Sequence, residues 1–154
     1  MKKFLTILGF SALAITLVGC GAKEKTFTCT LYKKDVINNY ELTSTYKVYA
    51  TGDVVDKVET TEFVKSDNAL MIDYFEETLE KSYKSMNEAY GGYDNKITKE
   101  ELELTSITTV DYNNMNIDQL VKDDSSMKSI VNDNNKITVE GIKNLYEQLG
   151  AECE

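Results

Sequence analysis

The stretch YELTSTYKVYATGDVVDKVETTEFV, Tyr40–Val64, predicts two β-strands joined by a tight turn. Apolar and polar residues alternate up to Ala50, so the apolar ones share one face of a strand. That face carries Tyr40, Leu42, Tyr46, Val48 and Ala50. Thr51-Gly52-Asp53 has the composition of a turn. The Val- and Thr-rich segment Val54–Val64 follows as the second strand, and its pattern leaves open which face is buried.

The flanking sequence extends this pair to an α+β fold. Thr26–Tyr32 also alternates, which predicts a strand before the pair and an antiparallel meander of three strands. After these strands, a long helix is predicted at Asn68–Tyr90 and two more strands at Tyr93–Thr98 and Leu102–Tyr112. A short helical segment is predicted at Ile117–Lys122, a helix capped by Thr138 at Thr138–Leu149, and a short edge strand at Ala151–Glu154. The order βββ-α-ββ-α indicates an antiparallel sheet with helices packed on one face.

The long helix has an amphipathic pattern. Ser66 or Asp67 can cap its start, and Gly91-Gly92 ends it. Its stripe of methionine and large apolar residues is interpreted as core that faces the sheet, in preference to a ligand site. The stripe consists of Met71, Phe75, Leu79, Tyr83, Met86 and Tyr90, widened by Leu70, Tyr74 and Ala89.

The first twenty residues have the pattern of an export signal. Lys2 and Lys3 precede an apolar run, and the run ends in Leu17-Val18-Gly19-Cys20. This ending resembles the lipobox of bacterial lipoproteins, in which the chain is cleaved before a cysteine that carries a diacylglyceryl group and palmitate. The alternative is an uncleaved transmembrane helix, but the apolar run of about 15 residues is shorter than the about 20 that a span needs.

This interpretation gives the domain organisation. Residues 1–19 are the lipoprotein signal peptide, residues 20–25 are the lipidated Cys20 with a short linker, and residues 26–154 are one α+β domain. The expected location is the extracytoplasmic face of the cell membrane. A composition rich in Lys, Asn, Ile and Tyr, without Arg or Pro, indicates an AT-rich genome and a Gram-positive source.

The charge and the missing residue types exclude several functions. The net charge of −9 and the absence of a basic patch argue against nucleic-acid binding. The chain has no His, which excludes Ser-His-Asp and Cys-His catalysis and His-based zinc sites. We therefore expect no enzymatic activity, no cofactor and no metal. A carboxylate-based enzyme that acts on cell-wall glycan is a third, less favoured hypothesis.

Three cysteines are present: Cys20, Cys29 and Cys153. If Cys20 carries lipid, the other two can form a disulfide in a compartment that permits one. Cys29 lies in the first strand and Cys153 in the last residues, and chain ends often lie close together. We predict a Cys29–Cys153 disulfide. The alternative is two independent thiols.

Several polar and aromatic motifs resemble binding sites only in part. Asp94–Glu101 is similar to the second half of a calcium-binding loop, but the first and third loop positions, Tyr90 and Gly92, lack carboxylates. Asn132–Glu140 has a similar partial likeness to such a loop, through a second Asn-Lys-Ile-Thr at Asn135–Thr138. The polar segment Asp123–Asn135 is predicted to be a mobile, solvated loop. Three tyrosines outside the predicted core could stack on a glycan or a peptide: Tyr32, Tyr49 and Tyr93.

The order of parts resembles the YehR-like small bacterial lipoproteins, a family without an established function. The matching features are Cys20, the strand at Lys25–Thr30, the hairpin at Gly52–Val58, the long helix, Val110–Tyr112, Ile117–Leu120 and the terminal helix. The resemblance implies an α+β domain with no assigned active site. The chain departs from the family in its acidic segment Asp123–Asn135 and in its lack of Arg.

Two functional hypotheses follow. The first is a non-enzymatic, lipid-anchored module that binds a protein partner in the envelope. The second is a lipoprotein that binds a small molecule or a cation and assists a transporter. In both hypotheses the membrane is contacted through the lipid on Cys20, and nucleic acid is not a partner.

Overall fold

A six-stranded antiparallel β-sheet forms the centre of the structure, a computed structural model that describes residues 22–154. The strands are β1 (Glu24–Asp35), β2 (Tyr40–Thr51), β3 (Val54–Ser66), β4 (Tyr93–Lys99), β5 (Glu103–Asp111) and β6 (Glu152–Cys153). The helices are α1 (Ala69–Tyr90), α2 (Ile117–Asp123) and α3 (Val139–Gln148), with a 3₁₀ helix at Ser125–Ser129. The sheet order is β4-β5-β3-β2-β1-β6. The predicted α+β class, the order βββ-α-ββ-α and the terminal edge strand are confirmed.

A β-bulge determines which residues of β3 are buried. β2 and β3 pair in one register up to Tyr49, and the register then shifts so that Ala50 pairs with Val55. Val55 and Val58 are consequently both buried, although three positions separate them along the strand. The sequence pattern of β3 left its buried face open because the phase of the alternation changes at this bulge.

The helices cover one face of the sheet, called the inner face below, and bury two apolar clusters. Beneath α1, Ile72 packs with Val64 and Leu104. Beneath α2 and α3, a larger cluster contains Val58 and Ile142. Burial of these side chains is the main favourable contribution to folding.

The start of α1 differs by one residue from the prediction. Asn68, and not Ser66 or Asp67, is the N-cap, because its side-chain oxygen accepts a hydrogen bond from the Leu70 N–H at 3.1 Å. The Ser66 hydroxyl has a different role, since it donates to the backbone oxygen of Asn39 at 2.6 Å.

The predicted apolar stripe of α1 is only partly buried. Ile72, which the prediction left out, is fully buried, whereas Leu70 is 75% and Tyr74 is 60% exposed. Met86 and Ala89 are exposed as well. Met71, Phe75, Leu79, Tyr83 and Tyr90 are half-buried. The helix lies on the sheet along a narrower line than the predicted stripe, so part of its apolar surface stays in contact with solvent.

The segment Asp123–Asn135, predicted to be a loop, is more structured than expected. It contains the 3₁₀ helix and the buried Ile130. The Thr138 hydroxyl donates to the Ile130 backbone oxygen, and a Cβ on Gly141 would lie only 2.4 Å from the Ile130 Cα. Glycine at position 141 therefore lets α3 pack directly against this segment.

The C-terminal strand is joined covalently to the first strand. Cys29 lies directly opposite Cys153, and the structure contains the predicted disulfide between them. The backbone groups of the neighbouring pair, Thr28 and Glu154, exchange two hydrogen bonds of 3.0 and 2.9 Å. The cysteines thus occupy the non-hydrogen-bonded pair, where side chains on adjacent strands approach most closely.

We predict that Cys153→Ser lowers the free energy of unfolding by about 2–5 kcal/mol, because the disulfide closes a long loop in the unfolded chain. Its cysteines are 124 positions apart. Urea denaturation of the oxidised protein, the reduced protein and the variant measures this effect. Reductant should destabilise only the wild type. Two freely reactive thiols in the native, unreduced protein would contradict the prediction.

Candidate functional site

Exposed apolar side chains gather at one end of the sheet. Val36 and Ile37, in the β1–β2 turn, are 78% and 95% exposed. Leu70 and Tyr74 project from the first turns of α1, and Leu102 from the β4–β5 turn. We call these five residues the distal apolar surface. Clustered exposed apolar residues are uncommon on monomeric domains and mark binding surfaces.

The turn that carries Val36 and Ile37 is fixed by hydrogen bonds. The Asp35 carboxylate accepts from the backbone N–H groups of Ile37 and Asn38, at 3.0 and 2.9 Å, and from the Asn38 side chain. These bonds, chiefly those from Asn38, lower the pKa of Asp35 below its usual value. Asn39 adopts a positive φ of 59°, which Asn tolerates better than most residues. The two aliphatic side chains are therefore presented to solvent by an ordered turn.

Two grooves flank this turn. A groove of about 470 Å³ lies towards α1 and is lined by Asn38, Tyr40, Met71, Tyr74, Phe75 and Thr78. A second, of about 280 Å³, lies on the other side, where Tyr40, Ser66 and Leu102 contribute to its walls. The distal apolar surface thus consists of projecting side chains next to concave, partly aromatic surface.

The first described residues lie at the opposite end of the sheet. The backbone oxygen of Lys23 accepts a hydrogen bond from Gly52 in the β2–β3 turn at 2.9 Å, and Lys25 forms an ion pair with Asp53. β1 then runs for 12 residues to Asp35. At about 3.4 Å per residue, the two ends of β1, and with them the two ends of the sheet, are about 37 Å apart.

Between the two apolar clusters, a belt of polar side chains crosses the inner face. These side chains form two rows that run across the strands. In the first row, Glu62 of β3 lies between Ser44 of β2 and Ser106 of β5. The second row consists, from β2 to β4, of Tyr46, Thr60, Thr108 and Asn95. The Asn95 amide donates to the hydroxyls of Ser106 and Thr108, at 2.9 and 2.7 Å. Both hydroxyls are fully buried. In residues 22–154 every buried side-chain nitrogen and oxygen has a hydrogen-bond partner.

Glu62 is the one acidic side chain of this polar belt. It is half-buried, and the Tyr83 hydroxyl of α1 donates to its carboxylate at 2.9 Å. Burial raises the pKa of the Glu62 carboxyl, and hydrogen bonds from Tyr83 and Ser106 offset this only in part. Burial and the nearby Glu62 charge likewise raise the pKa of Tyr83. Among residues 22–154, no lysine forms an ion pair with Glu62.

The predicted lipidation site lies outside the described residues. This applies to Cys20 and to the lipobox residues Leu17, Val18 and Gly19. Within residues 22–154, none of the helices combines the length and the apolar character that a membrane span requires. Of the predicted site residues, the structure brings together Cys29 and Cys153.

The partial calcium motif does not form a loop. Asp94 lies in β4, and Glu101 lies in the β4–β5 turn. Residues 22–154 contain no group of three or more acidic, cysteine or histidine side chains arranged to hold a metal.

The three tyrosines proposed for stacking lie in different places. Tyr32 is 59% exposed on β1. The Tyr49 hydroxyl donates to Glu59 at 2.6 Å, and the Lys57 ammonium lies 4.3 Å from the centre of its ring. Tyr93 is half-buried and lines a groove between α1 and β4. They do not form one surface.

Comparison with known proteins shows which solved structures have a similar fold. No protein-family model and no curated protein matches the chain. The NMR structure of the E. coli YehR protein matches it with a TM-score of 0.56 and 19% identity, over 86% of this chain and 92% of that one. This chain has a YehR-like fold. An NMR structure of a protein from Streptococcus pneumoniae TIGR4 covers 100% of this chain and 99% of that one, with 15% identity and a TM-score of 0.48.

The predicted resemblance is thus confirmed for the YehR-like fold, and membership of a lipoprotein family stays a prediction. Sequence reasoning did not single out the apolar turn or Glu62. Two adjacent aliphatic residues, Val36 and Ile37, within the polar run Asp35–Asn39 were the available signal for the turn. Glu62 could be recognised only after the buried face of β3 was known.

We predict opposite pH dependences for two glutamates on β3. The folded-state pKa of Glu62 is raised, so its ionisation costs stability as pH rises from the pKa of an unfolded glutamate through the folded value. Glu62→Gln should therefore gain stability relative to wild type across that rise. Lys57 lowers the pKa of Glu59, so Glu59→Gln should lose stability relative to wild type, and the loss should vanish in acid.

Urea denaturation of both variants and wild type between about pH 2 and pH 8 measures these differences, since the low end covers the lowered pKa of Glu59 and the high end the raised pKa of Glu62. In Glu62→Gln the new amide keeps an oxygen that can accept from Tyr83, so the comparison isolates the charge. Parallel stability curves for Glu62→Gln and wild type would show that Glu62 does not carry a raised pKa.

Proposed function

We propose that this chain is a lipid-anchored, extracytoplasmic envelope protein that binds a protein partner through the distal apolar surface, without enzymatic activity. The observation that carries the proposal is the exposure of Val36 and Ile37 on a turn fixed by hydrogen bonds. Tight apolar contacts in the centre of an interface commonly supply much of the binding energy.

The exposed turn favours a partner that covers it. Burial of an isoleucine or valine side chain gains about 1.5–3 kcal/mol relative to exposure, and Leu70, Tyr74 and Leu102 extend the surface that a partner could cover. Because Asp35 already fixes the turn, binding would cost little additional backbone ordering.

The position of the turn supports the same function. If Cys20 carries lipid, the chain is held at the end of the sheet where Lys23 lies. The distal apolar surface would then project about 37 Å from that end, towards partners in the envelope. A diacylated cysteine gives stable anchoring, as two acyl chains hold a protein far better than one.

Binding of a small molecule, as an accessory to a transporter, is the alternative. The groove of about 470 Å³ beside the turn favours it, because its size and its aromatic residues Tyr40, Tyr74 and Phe75 suit a small apolar ligand. A ligand for this groove should raise the melting temperature of wild type and not that of Phe75→Ser.

The partner proposal predicts the effect of Val36→Ser combined with Ile37→Ser. In-cell crosslinking of the lipidated protein, followed by mass spectrometry, should recover a specific envelope protein with wild type and at least tenfold less with the double variant. The melting temperature should change little, since both side chains are exposed. Ile107→Ser, at a half-exposed position on the other face of the sheet, is the matched control and should retain the partner. Equal recovery by all three proteins would count against this surface.

The anchor predicts a separate result for Cys20→Ser. Without the acceptor thiol no lipid can be attached. The variant should therefore lack the lipid mass, and it should either leave the membrane fraction as soluble protein or keep its signal peptide. Fractionation and mass measurement of the mature N-terminus test this. An unchanged membrane fraction, with an unmodified Cys20 in wild type, would rule out lipid anchoring at this residue.

A further inference from the structure

A second surface, separate from the distal apolar surface, lies between α1 and the edge strand β4. We propose that this groove binds an extended, basic segment of a protein partner, which adds to β4 as a seventh strand of the sheet. The groove has a volume of about 340 Å³. Its lining includes Glu80, Tyr83, Lys84, Asn87, Tyr93 and Asn95.

β4 is an edge strand with unpaired backbone groups. Gly92 accepts from the Asp111 N–H of β5 at 2.8 Å, which fixes the alternation of hydrogen-bonding direction along β4. The backbone groups of Tyr93, Asn95 and Ile97 consequently point away from β5, along the groove. An exposed row of this kind is a template for another strand.

The structure already contains one substitute for such a strand. The side-chain oxygen of Asn87, on α1, accepts a hydrogen bond from the Tyr93 N–H at 3.1 Å, as a carbonyl of an added strand would. Among the described residues, no side chain and no loop accepts from the next two outward N–H groups, those of Asn95 and Ile97. These two positions remain for the backbone of a bound segment.

The surroundings of the two sheet edges differ. At the other edge, β6 pairs with β1 and the Cys29–Cys153 disulfide holds it there. Within residues 22–154, β4 pairs with no strand other than β5, and α1 lies alongside it. A helix beside an open edge strand gives a bound segment main-chain hydrogen bonds on one side and side-chain contacts on the other, as in known strand-addition complexes.

Charge identifies the chemistry of the segment. Elsewhere on α1 the glutamates are paired, Glu77 with Lys81 and Glu76 with Lys99. Neither Glu80 of α1 nor Asp94, which the register of β4 places on the outer face of the sheet, forms an ion pair within residues 22–154. Lys84, which also lines the groove, lies 4.0 Å from Glu88. A segment added to β4 would have Glu80 beside its inner face and Asp94 beside its outer face, and each carboxylate favours a lysine or arginine.

The aromatic residues favour an apolar neighbour for that cation. Tyr83 and Tyr93 have ring centres 6.3 Å apart and planes tilted by 42°. Successive side chains of an added strand alternate between the two faces of the sheet. Alternate residues of the segment would therefore contact the two rings, which suits β-branched or aromatic side chains.

The test uses a displayed library of random 12-residue peptides, selected on the purified full-length chain in detergent. Selected peptides should carry lysine or arginine next to alternating apolar residues. On binding, the Asn95 and Ile97 amides should become protected from hydrogen exchange. Backbone N-methylation of the peptide, one residue at a time, should weaken binding at least tenfold at every second position, because alternate N–H groups face β4.

Matched variants locate the site. Glu80→Lys should weaken peptide binding at least tenfold, whereas Asp133→Lys, with the same change in net charge on an exposed loop, should not. Val36→Ser with Ile37→Ser should also leave peptide binding intact, so this proposal and the proposed function can fail independently.

Three results would overturn the proposal. The first is that no peptide is enriched. The second is that the affinity of the selected peptides does not alternate with the position of N-methylation, or does not respond to Glu80→Lys. The third is that raised protein concentration alone protects the Asn95 and Ile97 amides from exchange. The last would identify a second copy of the chain as the occupant.

Discussion

The pairing of β1 with β2 is the constraint on which the rest of the structure depends. The two strands pair over their whole length, from Glu24 opposite Thr51 to Asp35 opposite Tyr40, without a bulge. This ladder separates the N-terminal end of the domain from the β1–β2 turn by the full length of the sheet. It also gives Cys29 its place at the edge, where β6 can be joined to it. A slip of one residue would turn every side chain of β1 to the other face.

The inner face does not have a uniform apolar core. Buried hydroxyls such as Ser106 and Thr108 divide it into two clusters, and α1 covers one cluster while α2 and α3 cover the other. Hydrogen bonds satisfy this belt, so its cost is limited. Because α1 follows a narrow line over the sheet, it leaves apolar side chains exposed at its start and a groove along β4. Both proposed binding surfaces arise from this incomplete coverage.

The sequence predicted the parts of the fold that depend on local pattern. Alternation predicted the strands, glycines predicted the turns, and the position of two cysteines at opposite ends of the domain predicted their disulfide. The pattern could not place the β2–β3 bulge, because a bulge changes the phase without a distinctive residue. The sequence pattern also placed the buried face of α1 at the wrong angle around the helix. Leu70 and Tyr74 have the same apolar character as Ile72, and only tertiary packing determines which of them is buried. The apolar turn and Glu62 were missed for the same reason: their significance depends on exposure and burial.

The central claim is that the chain is held at one end and presents the β1–β2 turn to proteins at the other. A membrane is the competing occupant of an apolar turn, and one measurement separates the two. The chain contains ten Tyr but no Trp, so Ile37→Trp introduces a single tryptophan at the turn, which can be excited selectively. The lipidated protein would be reconstituted in vesicles with and without brominated acyl chains, which quench only on contact. Our account predicts the same emission in both vesicles, because the turn stands away from the bilayer. Strong quenching by the brominated lipid would show that the turn inserts into the membrane and would contradict the account.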